Sequence, residues 1–571
     1  MRAFLFQRWG RCAAAALIAG LMAACGGDGN GVATQTQDAP LATFAEQKLD
    51  WQACDPEMLG EDVNQALALY GKHAQCTRMR VPMDYDNSAG AELKIEVLRV
   101  AVAQPTQRLG AIVFNPGGPG VNGLMTAVYT GFQLMASDDA RLQAMAGRYD
   151  LIGFSPRGTG ASNPLNCDAA GTFAEFGSYT FNRSAENLQA VQHNARLQAE
   201  ACLSNPLTQH IHTDATARDM DLLRAVLGES KLNYIGYSYG SWLGAWYARL
   251  FPDRVGRMLL DGVDNIADSL AWVSDKGLGP QRILDQVMLP YAARHDDKLG
   301  LGDAATLRNA LLALSPELQE VLFDNIEFAK SSKIQDSILW MSAAVGLHAL
   351  MQAHPDADEE AMRILIESHD AFSPVPRINA DVKKFALALV DKLTGDDDDD
   401  DDGPDTMAVQ DADGRIRILP TFNVLMSVRC NESAKVGDAQ YWLDKSHEAV
   451  LRYPTAGGFA AGNFCAHWTL PTRPFPAATT TENAPLLMLQ SRYDGQTPVE
   501  GAMATLAALP QARMIVVEDE YEHGVFPYGT QCVDRQVADY FLDGTLPQRL
   551  SSCAGKPLGG AFNGTSPSPS D

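Results

Sequence analysis

The chain has 571 residues, with 70 Asp and Glu against 45 Lys and Arg, for a formal net charge of −25. A polyanion of this kind repels phosphate backbones and anionic bilayers, which argues against nucleic acid or an anionic membrane surface as a partner. Hydrophobic residues make up 46% of the chain, enough to bury a large interior, and the length exceeds what one small core requires.

The first eleven residues carry Arg2, Arg8 and Arg11, and residues 12–24 form an apolar stretch too short to span a bilayer as a helix. This pattern predicts a secretory signal peptide over 1–24. Leu21-Met22-Ala23-Ala24-Cys25 resembles a bacterial lipobox, with Cys25 as the lipid-modified first residue. Gly26 after the cysteine resembles the outer-membrane sorting pattern. Residues 25–45 are polar and rich in Gly, Thr and Gln, as a tether would be. The expected location is the bacterial cell envelope, facing the periplasm or the exterior, with membrane contact only through the lipid anchor.

Ala111-Ile-Val-Phe114 predicts a buried strand, and Asn115-Pro116-Gly117-Gly118-Pro119-Gly120 follows as a loop. Glycines let its backbone approach a substrate, and prolines stiffen it. Lys231-Leu-Asn-Tyr-Ile235 predicts a second short strand, and Ser241 to Phe251 predicts a helix that stops at Pro252. Between them lies Gly236-Tyr237-Ser238-Tyr239-Gly240. A Gly-x-Ser-x-Gly between strand and helix is the nucleophile elbow of α/β-hydrolases, a turn so tight that the serine is strained and only glycine fits nearby. An oxyanion hole needs two aimed N–H groups. One is expected from Tyr239, after the nucleophile, and the other from Gly118, with Gly117 beside it. Arg257-Met-Leu-Leu-Asp261 ends the next strand, which makes Asp261 a first candidate for the triad acid.

Residues 266–474 read as a mostly helical insertion, with helices predicted over 281–294, 304–314, 334–351, 359–369 and 380–393. Seven consecutive aspartates at 396–402 repel one another and predict a solvated, disordered loop; calcium-loop spacing is absent.

Ala484 to Ser491 predicts a strand, and Arg492-Tyr493-Asp494-Gly495-Gln496-Thr497-Pro498 the loop at its carboxyl end. Ala512 to Glu518 predicts another strand, followed by Asp519-Glu520-Tyr521-Glu522-His523-Gly524. In this fold the triad runs in chain order Ser, acid, His. The chain has 11 histidines, and His523 is the only one after Asp494. The expected triad is therefore Ser238, Asp494 and His523, with Asp494 preferred over Asp261 because Thr497-Pro498 fixes a turn around it. The fold class is α/β, an α/β-hydrolase with a large inserted helical cap. The first core part is 46–265, the cap 266–474, the second core part 475–555 and the tail 556–571.

Of the 10 cysteines, Cys12 falls in the signal and Cys25 ends the lipobox-like pattern. The remaining eight lie in sequential pairs, Cys54/Cys76, Cys167/Cys202, Cys430/Cys465 and Cys532/Cys553. Nearest-neighbour disulfides are expected, since each closes a modest loop and export favours oxidation. No Cys-x-x-Cys occurs, and no metal or cofactor is expected.

The segments 115–120, Ser155-Pro-Arg-Gly-Thr-Gly-Ala-Ser162, 236–240 and Asp494-Gly-Gln-Thr-Pro498 resemble the proline iminopeptidase and tripeptidyl aminopeptidase family of serine exopeptidases. So do Ala217-Arg-Asp-Met-Asp-Leu-Leu-Arg224 and the tail between Cys532 and Cys553. Asn-Pro before Gly-Gly-Pro-Gly is closer to the secreted tripeptidyl type. Ser155 stands where the family often has Asp, a change that bears on the packing of its loop. The resemblance implies release of short peptides from free amino termini, although the family also includes esterases. The expected activity is thus an exported serine aminopeptidase acting on peptides through an acyl-enzyme, and a carboxylic ester hydrolase with the same triad is the alternative. The intact triad weighs against a non-catalytic binding protein. Glu432, tied near the site by Cys430, is a candidate to receive the substrate ammonium. Nothing in the sequence bears on oligomeric state.

Overall fold

The architecture follows from short aliphatic runs that alternate with longer amphipathic ones. A computed structural model describes residues 39–55, 67, 70–160, 162–395, 408–410, 415–477, 485–559 and 562. The signal, Cys25, most of the tether and the aspartates at 396–402 lie outside the described residues.

The described strands are β1 (Ala74–Pro82), β2 (Glu92–Val100), β3 (Gly110–Asn115), β4 (Tyr149–Phe154), β5 (Asp168–Ala170), β6 (Leu232–Tyr237), β7 (Val255–Asp261), β8 (Ala408–Gln410), β9 (Arg415–Ile418), β10 (Leu487–Ser491), β11 (Arg513–Glu518) and β12 (Leu550–Ala554). Nine of them form one sheet in the order β1-β2-β4-β3-β6-β7-β10-β11-β12. The pairs β1/β2 and β2/β4 are antiparallel, and every other pair in this sheet is parallel. Every residue of β3, β4 and β10 is buried, as parallel strands covered on both faces must be. By contrast, β1 sits at the sheet edge and exposes Arg78 and Arg80. The chain has the α/β-hydrolase architecture, with an inserted helical region between β7 and β10.

Two hydrophobic cores sandwich the sheet. On one side Leu124, Val128 and Leu134 of the helix Leu124–Ala136 pack with Val537 and Phe541 of the helix Gln531–Asp543. On the other, Met220 and Leu223 of the helix Thr213–Val226 pack with Trp242, Leu243 and Trp246 of the helix Tyr239–Leu250. The inserted stretch is itself divided. Residues from Ile283 to Val390 gather a third core, which Tyr521 and Phe562 join. Val424, Met426, Val428, Cys430, Phe464 and Trp468 instead join the sheet core.

The helix predicted over 281–294 is present but not uniform. It runs as Leu278–Ile283, a wider turn over Leu284–Met288, then Leu289–Arg294. Pro290 has no N–H for an i−4 bond and crowds the preceding turn, and a π segment accommodates that. The registers place the functional corner. Tyr237 lies opposite Asp261, Asn115 opposite Gly236, and Leu489 opposite Asp261. The carboxyl ends of β3, β6, β7 and β10 therefore meet at one edge, where open α/β sheets place their sites.

Candidate active site

Ser238 occupies the single residue between β6 and the helix Tyr239–Leu250, with φ +56° and ψ −126°. A non-glycine residue at positive φ is strained, and such strain persists only where its surroundings over-determine it. The surroundings are visible here. A Cβ on Gly236 would meet Gly240 O at 2.3 Å, and one on Gly240 would meet Asn115 O at 2.7 Å, so neither position admits a side chain. Ser241 bonds back to Ser238 O through its N–H at 2.8 Å and its Oγ at 2.6 Å. Ser238 N–H donates to Asp261 O at 2.8 Å. The turn is thus tied to the next strand, with Ser238 half-buried at its tip.

The loop after β3 lies directly against this turn. A Cβ on Gly117 would sit 2.9 Å from Ser238 Cβ and 3.2 Å from Tyr239 N, and the residue has φ +102°. Gly117 N–H is already donated to Asn115 Oδ1 at 3.0 Å. Gly118, at φ +100°, comes next and is half-buried.

His523 comes from the loop after β11. Its Nδ1 lies 2.9 Å from both Asp494 Oδ1 and Asp494 Oδ2. Asp494 is fully buried, and the turn predicted at Thr497 holds it. Gln496 N and Thr497 N donate to Oδ1 at 2.8 and 2.9 Å, and Thr497 Oγ1 donates to Oδ2 at 3.1 Å. Burial works against a charge on His523, but the charge and hydrogen bond of Asp494, then the charge of Asp261, outweigh it and hold the imidazole above its ordinary value. The ring rests on Gly262, where a Cβ would meet His523 Cε1 at 3.1 Å. That glycine directly follows Asp261, whose carbonyl holds Ser238 N–H. Ser238, His523 and Asp494 therefore share one corner, and Asp261, the other acid considered, bonds to backbone instead.

The role expected of Glu432 is not supported by its position. The residue is 5% exposed, and its two oxygens accept hydrogen bonds from Thr213 N and Trp242 Nε1, the latter at 3.0 Å. Burial pushes its carboxyl up to about 7, against those donors and Arg429. An ammonium ion there would have to share oxygens that already accept bonds inside the protein. The cysteines join as Cys54–Cys76, Cys167–Cys202, Cys430–Cys465 and Cys532–Cys553.

Three contacts near the corner join residues that are far apart in the sequence. Ala329 O, from the inserted region, accepts His523 N–H at 2.8 Å. Asp261 Oδ2 accepts the N–H groups of Val525 and Phe526. Arg157, 1% exposed, pairs with Asp219 at 2.7 and 2.8 Å and steadies the loop that begins at Ser155. Ser155 itself donates to Thr159 O at 2.9 Å, closing that loop without an acid. Asp261 carries a sequence signal in its place at a strand end, and Arg157 and Asp219 lie in segments that carry the family resemblance.

This fold, with a Gly-x-Ser-x-Gly turn at the carboxyl edge of its sheet, defines an α/β-hydrolase of the serine hydrolase class. The general α/β-hydrolase fold model matches residues 110–333, and the TAP-like protein model matches residues 453–553. Tripeptidyl aminopeptidase of Streptomyces lividans is 28% identical over 539 residues, covering 90% of this chain and 88% of that one. Serine protease Hip1 of Mycobacterium tuberculosis is 25% identical over 531 residues, covering 90% and 93%. Carboxylesterase B of the same organism is 28% identical over 506 residues, covering 84% and 86%. The chain has the α/β-hydrolase fold and is similar over 90% of its length to tripeptidyl aminopeptidase and to Hip1.

Proposed function

We propose that this chain is an exported aminopeptidase that releases short peptides or single residues from free peptide N-termini. The observation that carries the reading is the buried Asp494 on His523 Nδ1, set in the same corner as the strained Ser238. Ser238 Oγ attacks the scissile carbonyl while His523 Nε2 takes its proton. His523 then gives that proton to the leaving amine, and water, activated the same way, releases the acyl group from Ser238. Asp494 holds the imidazole in the tautomer this requires and stabilises its charged form. Tyr239 N–H and Gly118 N–H receive the developing oxyanion; Gly117 is the poorer donor because its N–H is held by Asn115. The inserted helical region, expected over 266–474, roofs the serine and limits the length of acyl chain admitted. The peptidase names of the tripeptidyl aminopeptidase and Hip1 relatives support an amide substrate.

A second reading, carboxylic ester hydrolysis by the same residues, is favoured by the carboxylesterase relative at equal identity. Four disulfides favour an oxidising compartment and hence export. Incubation with an unblocked peptide of about ten residues, followed by mass spectrometry, separates the readings. Loss of one to three residues from the amino end is expected. An intact peptide alongside fast hydrolysis of p-nitrophenyl esters would transfer the chain to the esterase reading.

A further inference from the structure

Asp261 ends β7 and is fully buried. Its backbone and side chain serve two different parts of the corner. The carbonyl accepts Ser238 N–H at 2.8 Å. The side-chain Oδ2 accepts Val525 N–H at 2.9 Å and Phe526 N–H at 2.7 Å, two and three residues beyond His523. One residue thus bridges the strained turn and the segment that carries the imidazole. The other oxygen, Oδ1, is buried with no hydrogen-bond partner among the described residues. Burying a carboxylate with one oxygen unpaired is costly, and here only the two N–H groups on Oδ2 offset it.

We propose that Asp261 is a positioning residue of the reaction, fastening the segment that carries His523 to the strand end that holds Ser238. The proposal rests on the assignment of Ser238 and His523 above. Asp494 occupies His523 Nδ1, so Asp261 acts through the backbone and through its charge rather than as the triad acid. The titratable groups facing it are His523 and Asp494 on the loops after β11 and β10, and Tyr237 at the end of β6. Lys276 faces His523 in turn. Burial lifts the Asp261 carboxyl to about 7, against the pull of the two N–H groups, so it changes charge in the same range as an imidazole. The two groups then titrate as a coupled pair. An ionised Asp261 favours the imidazolium, so the base becomes free only at higher pH than it would beside a neutral neighbour.

Asp261→Asn keeps a carbonyl for the two N–H groups and cannot ionise; Asp261→Ala removes the acceptor. The rate of fluorophosphonate labelling of Ser238 as a function of pH reads base function without reference to the natural substrate. The Asn variant is expected to label within about threefold of wild type on the alkaline plateau, with its acid limb moved down by at least about half a pH unit. The Ala variant is expected to lose on the order of 10² on the plateau, as a misplaced base would. An Asn limb that coincides with wild type, or an Ala plateau equal to wild type, would overturn the proposal. Should the Ala variant not fold, the Asn limb decides. His523→Ala is the control: labelling as fast as wild type would instead refute the triad assignment.

Discussion

At His523 two effects of opposite sign compete. Burial disfavours the imidazolium, while Asp494 at 2.9 Å and the more distant charge of Asp261 favour it, and the carboxylates win. A base whose pKa is raised is protonated over a wider acid range, so activity needs a pH above the ordinary histidine value. The acid limb of kcat/KM is accordingly expected above about 6.5. A limb centred below about 6 would contradict this balance. Asp494→Asn leaves the shape of the corner but sets the wrong tautomer, and a loss on the order of 10⁴ in kcat is expected. Steady-state kinetics check it, and a loss under about tenfold would show that another group orients the imidazole.

The residue scale also shows what sequence can and cannot carry. Chain order and strand context leave few alternatives to Ser238 and His523, and the structure sets both at the same edge of the sheet. Asp494 is preferred over Asp261 in the sequence only through the turn at Thr497-Pro498, since one follows and the other ends a parallel strand of the same sheet; the hydrogen bonds distinguish them directly. The burial of Glu432 is not legible in the sequence for a different reason. Its partners Thr213 and Trp242 lie 219 and 190 residues away, and no local pattern reports that both oxygens are used. The same burial yields a stability prediction. A carboxyl raised from 4.5 to about 7 in the fold contributes stability that is full below the unfolded value and lost as pH rises through the folded one. Glu432→Gln should therefore narrow the drop in Tm between pH 4.5 and pH 8, measured by calorimetry. A drop unchanged from wild type would show that Glu432 titrates normally.

At the scale of elements, most strand and helix positions followed from periodicity, while the turns between them followed from glycine and proline. The helices Pro316–Asn325 and Ala439–Arg452 are not among the predicted ones, although their starts are marked by Ser315 with Pro316 and by Asp438. The helix Pro420–Glu432 is the instructive case. Only one face of a surface helix need be apolar, but this helix buries Asn423, Ser427 and Asn431 as well as Val424 and Val428. Its polar residues are bonded to distant backbone, Asn423 to Leu165 O and Asn431 to Thr208 O and Ile211 O. The helix also abuts the loop after β3, for a Cβ on Gly120 would meet Thr421 O at 2.4 Å. Cys430–Cys465 fastens its far end across a separation of 35 residues. Replacing both cysteines by Ala should cost about 2–4 kcal/mol of stability. A change under about 0.5 kcal/mol in the denaturant midpoint analysis would show that the helix is held without the bridge.

For the whole molecule, compartment, charge and activity have to agree. A net charge of −25 produces a field that draws cationic ligands, so a peptide of net positive charge is favoured over a neutral or anionic one on approach. The lipobox at Cys25 predicts a mature chain that begins there and carries lipid. Mass spectrometry of protein taken from its native envelope checks this, and a soluble protein with another first residue would refute the anchor while leaving the hydrolase chemistry intact.

The central claim is tested most directly by a peptide p-nitroanilide with a free amino terminus and its N-acetylated twin. They differ chiefly in one charge. A charge-assisted hydrogen bond to the ammonium would contribute about 1.5–3 kcal/mol, so the free amine should be cleaved at least roughly tenfold faster in kcat/KM, with no cleavage by Ser238→Ala. Equal rates on the two substrates, or cleavage that survives loss of Ser238, would contradict the account.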